Sequence, residues 1–312
     1  MSTGYGSAGC LATVGAIFKS STFVIPGYQR PYEWGTQHVE QLTGDLTEHL
    51  ERCISLSPEP GDLWHDYILN TVITVERSDG SLEVIDGQQR LITLLLMFTA
   101  MRDVHKNVLT PNWQQTLERW ISDVDGETSR SRVDIEYRTE EVEQFFSNIV
   151  KGKPIDANPS PSSTAFALER AYHKLVKWSE DTFGTQGTHD PAKFLAMMKD
   201  YVRIAEIRGS RPEDSHQAFE RANDRGKPLS STDLIKSQVF GLANTSQDRE
   251  MAANTWRGLL TTLTAIENLG TPDEFFHHLM LADAAPQKIG RGKTRSTFKT
   301  AVMESAKLPD GT

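Results

Sequence analysis

The residues best placed to do chemistry lie in the run Val84-Ile85-Asp86-Gly87-Gln88-Gln89-Arg90. Apolar residues lead into it and LITLLLMFTAMRDVHK follows, so a strand should turn at the glycine and leave as a helix. A helix start offers backbone N–H groups with no carbonyl behind them, at the positive end of the macrodipole, and so suits an anion. Gly87 permits a tight turn and close approach by a ligand. Arg90 can grip phosphate oxygens through two parallel hydrogen bonds. Gln88 and Gln89 can donate to phosphate or orient a water, and Asp86 can accept a proton or hold Mg2+. The competing reading is a capped strand–helix turn whose arginine pairs with a nearby acid.

Two other segments carry polar groups in suggestive settings. In IPGYQRPYEW, residues 25–34, Gln29 and Arg30 sit among Tyr28, Tyr32 and Trp34. Rings can stack on bases while an arginine pairs with phosphate, although an aromatic packing loop would have the same composition. In residues 219–236, FERANDRGKPLSSTDLIK, Ser230 and Asp233 make a capping-box-like helix start with Asn223, Arg225 and Lys236 nearby. An ordinary loop-to-helix junction is the alternative there.

Together and in this order, the IP-x-YQRPY-x-W, DGQQRL and F-x-x-x-N-x-R-G-x-PLS-x-x-DL-x-K segments resemble the DGQQR-motif nucleotidase domain of bacterial anti-phage restriction proteins, the GmrSD, SspE and BrxU type. The resemblance spans about residues 17–240. It implies a fold similar to ParB and sulfiredoxin, and NTP hydrolysis at the DGQQR turn with Mg2+ as cofactor. It also implies coupling to restriction of modified phage DNA, whether phosphorothioate-linked or carrying modified cytosine. On this resemblance Asp86, Gln88, Gln89 and Arg90 are the catalytic candidates, with Asp86 also the candidate Mg2+ ligand. Gly87, Gln29, Arg30, Asn223, Arg225, Asp233 and Lys236 are the nucleotide-binding candidates, and Tyr28, Arg30, Tyr32 and Trp34 the DNA-sensing ones. Ile92 replaces the usual residue of the family's RLTTL, a change on a buried face. Asn70 stands near where the preceding strand customarily has glycine, which leaves close backbone approach there open. A module that binds nucleotide or DNA without hydrolysis, and a scaffold subunit, are the competing functions.

These residues need elements to position them. Asp66–Glu76 and Leu82–Ile85 read as strands joined through Ser78-Asp79-Gly80, a hairpin. Leu91, Leu94, Leu95, Phe98 and Met101 share one helical face and Ile92, Leu96 and Met97 fill much of the rest, so the helix should be buried and central. Residues 36–53 have the spacing of an amphipathic helix, and residues 22–34 that of a short strand and turn-rich loop. The apolar run Cys10–Phe18, closed by Lys19, is too short to span a bilayer and lacks a basic leader; it predicts an N-terminal helix. From residue 111 the pattern is mainly helical, with breaks at 123–131, 151–164 and 182–191. The expected class is α+β: a small ParB/sulfiredoxin-like mixed sheet with a long buried helix, then a mostly helical second half. The expected division is 1–110 and 111–312, with residues 219–236 packing back onto the nucleotide site.

Composition bounds the rest. With 312 residues, 38% hydrophobic and 24% charged, the chain has enough apolar material for a real core. Cys10 and Cys53 provide no disulfide framework or zinc spacing, which fits a reducing cytoplasm, and no membrane partner is expected. A net charge of −9 argues against a broad DNA-binding groove. Residues 287–300 nevertheless carry Lys288, Arg291, Lys293, Arg295 and Lys299 without an acid, either a solvated tail or a phosphate-contacting strip. The resemblance also implies a His-Asn-His nuclease domain, which His277-His278, without an asparagine partner, does not match. Cleavage is expected from a C-terminal or partner nuclease domain, with this chain either a separate subunit or, the favoured reading, an N-terminal fragment.

Overall fold

The computed structural model describes residues 8–27, 29–61, 63–125, 128–136, 139–153, 163–185 and 187–209, with scattered positions between 251 and 275. The chain divides into two compact units, residues 1–215 and 216–312. In the second unit Trp256 and Leu263 are buried, and the Thr262 hydroxyl donates to the Gly258 carbonyl.

The first unit runs β1 (Ala8–Thr13), α1 (Val14–Ser20), β2 (Phe23–Ile25), α2 (Thr36–Leu56), β3 (Tyr67–Glu76), β4 (Leu82–Asp86), α3 (Gln88–His105) and α4 (Pro111–Ile121). It continues through β5 (Ser122–Asp125), β6 (Thr128–Ser131), β7 (Val133–Ile135), α5 (Glu140–Val150), α6 (Thr164–Phe183), α7 (Pro191–Asp200) and β8 (Val202–Gly209). Six strands form one sheet in the order β1-β8-β3-β4-β2-β7, and β5-β6 form a separate hairpin. The sheet is mixed: β3 is antiparallel to β4 but parallel to β8, and β2 is parallel to both β4 and β7. The α+β class is therefore the one the sequence predicts. The β3–β4 hairpin is also as expected, with Gly80 at φ 79° in its turn.

One expectation is corrected. The apolar run Cys10–Phe18 is not one helix. Its first half belongs to β1, which pairs with β8 from Ala8↔Arg208 to Thr13↔Arg203, and the helix begins only at Val14. Thr13 makes the switch, because its hydroxyl accepts from the Ala16 N–H at 3.2 Å and caps α1. Local apolarity cannot report a partner strand far along the chain, and that partner overrides the helical pattern. After residue 111 the described residues up to 209 are mainly helical, in α4 to α7, as the sequence predicts. The break at 123–131 is the β5–β6 hairpin, and β7 and β8 enter the main sheet, so the sheet draws strands from both sides of residue 110.

Helix α3 is the centre of the core. Every residue from Leu91 to Met101 is buried, as a helix apolar on nearly all sides must be. It lies among the sheet-side residues Phe23, Ile25, Val72, Leu82 and Val84 and residues of α4 and α6 such as Leu117 and Leu168. Phe98 meets Phe18 edge-on, with centroids 5.1 Å apart, and lies 4.8 Å from the Trp120 ring. Alternate residues of the same strands, Val24, Ile73, Val75 and Ile85, are buried too, so these strands are apolar on both faces.

Near its C-terminal end α3 holds a buried imidazole. His105 is 2% exposed, and its Nε2 lies 2.9 Å from the Ser179 hydroxyl of α6. Burial lowers its pKa, and burial lowers that of His49 in α2 as well. The folded state therefore resists protons that the unfolded chain accepts below about pH 6.5. Stability should be full above that pH and fall as pH drops through it, by at most about 1.4 kcal/mol per pH unit for one such histidine. Urea unfolding at pH 7.5 and 5.5 should show this loss, and His105→Asn should reduce it. An identical loss in both proteins would remove His105 as its source.

Candidate functional site

Strand β4 ends at Asp86 and the chain turns at Gly87, with φ 96° and ψ 5°. That left-handed conformation disfavours any other residue. Space excludes one as well: a Cβ on Gly87 would lie 2.8 Å from Val72 Cγ2 and 3.3 Å from Val72 Cα on β3. The Gly87 carbonyl accepts from the Leu91 N–H at 3.1 Å, and α3 starts there. The close backbone approach falls at Thr71 and Val72 rather than at Asn70, which is exposed and accepts from the Thr71 N–H through its own side chain.

Arg90 lies one residue short of the first full turn and folds back onto β3. Its guanidinium donates to the Thr71 carbonyl at 2.7 Å. No carboxylate is within ion-pair distance of it among the described residues. Burial lowers its pKa and the charge of Asp86 works the other way, yet a guanidinium stays protonated. The result is a partly desolvated cation beside a helix N-terminus, bonded to a neutral carbonyl. Its other N–H donors suit an oxyanion.

The glutamines face the aromatic loop. Gln89 Oε1 accepts from the N–H groups of Glu33 at 3.0 Å and Trp34 at 3.3 Å, and its Nε2 donates to the Pro31 carbonyl at 2.9 Å. Gln88, 6% exposed, donates to the Arg30 carbonyl at 3.0 Å, while its Oε1 is buried without a hydrogen-bond partner among the described residues. Gln29 reaches back from the loop to the Ile85 carbonyl at 3.0 Å. The Thr93 hydroxyl donates to the Gln89 carbonyl, so its oxygen must accept from the Tyr32 hydroxyl at 2.9 Å. Burial pushes the Tyr32 phenol up to about 12. At the other end Glu136 accepts from the Gly27 N–H at 3.2 Å and holds Arg77 at 2.7 Å. At about 0.5–1.5 kcal/mol for each such bond, the strapping is strong for so short a loop.

Asp86, Gly87, Gln88, Gln89 and Arg90 thus stand in one place with Gln29 and the Arg30 backbone. The Arg30 side chain points to solvent, 3.8 Å from Glu33. Tyr32 is 3% exposed, so its ring belongs to the core and offers no face to a duplex, contrary to a rim role. Trp34 is half-buried and stacks on His38, with centroids 5.7 Å apart. Tyr28, Asn223, Arg225, Asp233 and Lys236 lie outside the described residues, as do residues 288–299 and His277-His278. Thr71, Thr93 and Glu136 were not foreseen. Of these only Thr93 carried a signal, a hydroxyl four residues after Gln89 in an otherwise apolar helix. Among the described residues no group of three or more His, Cys, Asp or Glu side chains is placed to hold a metal. No helix there is long and apolar enough to cross a membrane.

A search among curated proteins found none that matches the chain. A family match does exist, and it covers the strapped loop, the glycine turn and α3. Residues 14–240 match the family described as GmrSD restriction endonuclease, N-terminal domain, and the chain belongs to that family.

Proposed function

We propose that this chain is the NTP-hydrolysing, modified-DNA-sensing module of an anti-phage restriction protein, with the triphosphate bound at the Asp86–Arg90 turn. The observation that carries this reading is Arg90, a partly desolvated guanidinium beside the N-terminus of α3 with no carboxylate partner among the described residues. Arg90 and the N–H groups of the first helical turn hold phosphate oxygens. Gln88 Oε1, a buried acceptor without a partner among the described residues, accepts an O–H from the attacking water and orients it. Gln89 is a positioning residue, because three of its hydrogen-bonding sites are spent on the loop.

Mg2+ commonly takes only one or two protein carboxylates and completes its shell with phosphate oxygens and water. A single carboxylate at Asp86 fits that pattern, and the ion would neutralise phosphate charge there. The DNA modification sensed is a phosphorothioate linkage or a modified cytosine, and cleavage belongs to a C-terminal or partner nuclease domain. The setting is the cytoplasm. A second reading, a module that binds nucleotide without hydrolysing it, draws on the commitment of Gln89 to the loop.

Arg90→Ala should abolish phosphate release from NTPs and weaken nucleotide binding by about one to two orders of magnitude, the worth of a charged-group hydrogen bond. Hydrolysis by the variant at the parent's rate would refute the assignment. Phosphate release by the parent with none of several NTPs, despite calorimetric binding, would select the second reading. The chain alone, incubated with Mg2+ or Mn2+ and plain or modified plasmid, should leave the DNA intact. Nicking that co-purifies with the protein would reveal a nuclease site within it.

A further inference from the structure

The segment 31–36 and the first two turns of α6 enclose a cavity of about 380 Å3. No residue of the Asp86–Arg90 turn lines it. Its walls combine three kinds of chemistry. Trp34 and Phe166 provide aromatic surface, both half-buried. Glu33 provides a carboxylate acceptor, mostly exposed and only loosely associated with Arg30. Arg170 provides a cation whose guanidinium is held over the Phe166 ring, 5.6 Å from its centroid. Among the described residues Arg170 makes no ion pair. Ser163, also in the wall, caps α6 by accepting from the Phe166 N–H at 3.2 Å, so the positive end of a twenty-residue helix meets the cavity.

We propose that this cavity binds one nucleotide unit, a planar base with its phosphate, at a site separate from the Asp86–Arg90 turn. The base lies against Trp34 and Phe166, Glu33 accepts from a ring or exocyclic N–H, and the phosphate meets Arg170 and the start of α6. The volume lies in the range of small-ligand pockets, enough for one nucleotide and far too little for a duplex. The unit is either a free nucleoside monophosphate or a nucleotide extruded from DNA. The site does not depend on hydrolysis at the turn. An occupant nonetheless presses on the backbone of Glu33 and Trp34, whose N–H groups Gln89 holds.

Calorimetric titration of the full chain with dAMP, dCMP, dGMP and dTMP tests this. A second titration uses a short duplex carrying one extrahelical nucleotide, beside its fully paired counterpart. At least one monophosphate should bind, and Arg170→Ala should weaken it about tenfold, the worth of one charged contact. Arg170 is exposed, so this variant should keep the parent's melting curve; Trp34→Ala provides the aromatic arm. If the extrahelical duplex displaces the monophosphate and the paired one does not, DNA is the source. If neither does, the free nucleotide is the ligand. Absence of monophosphate binding up to about 1 mM would overturn the proposal. So would binding that Arg90→Ala removes and Arg170→Ala leaves intact, because the ligand would then sit at the turn.

Discussion

Much of this molecule's chemistry hangs on one side-chain amide. Gln89 sits in the first turn of a helix that is buried nearly all round, so its carboxamide must find partners nearby or be left desolvated. It finds three in the backbone of residues 31–34. That choice fixes the aromatic loop against the helix start. Replacing the loop's contacts with water is not open to a group this buried, so the loop and the helix start behave as one unit. Gly87 enforces the same arrangement from the other side. Its left-handed backbone and its contact with Val72 bring β3 against the turn, and β3 then supplies the carbonyl that steers Arg90.

What could be read in advance follows from how local each determinant is. The glycine turn, the β3–β4 hairpin and the buried α3 are specified within a few residues of themselves, by alternation, turn chemistry and helical spacing. They were legible. β1 was not, because AGCLAT becomes a strand only by pairing with β8. Tyr32 misled for a related reason. An exposed and a buried tyrosine look alike in sequence, and only the hydroxyl of Thr93, placed by α3, gives this one its buried partner. The 380 Å3 cavity was equally invisible, since Trp34 and Arg170 are far apart in the chain and α6 brings them together. The glutamines are the subtle case. Their place at the site was readable, but whether each carboxamide faces a ligand or the backbone is decided by a loop that arrives from residues 29–34.

Charge works through individual placement here rather than through totals. The chain carries −9 overall, and its broad field repels phosphate. Against that background a cation matters most where water cannot screen it. Arg90 is partly desolvated beside the α3 terminus, and Arg170 is oriented by the Phe166 ring at the start of α6. Arg90 is little diluted by salt for that reason, whereas the exposed Arg170 remains open to screening.

The loop between these two cations is the physical link between them. Residues 31–34 contribute a wall to the cavity and backbone donors and acceptors to Gln89. The loop is tied by hydrogen bonds at Gly27, Gln29, Tyr32 and Trp34. A displacement at Trp34 must either stretch the Gln89 contacts or move the first turn of α3. The second alternative changes the geometry at Gln88 and Arg90 directly, since both sit on that turn.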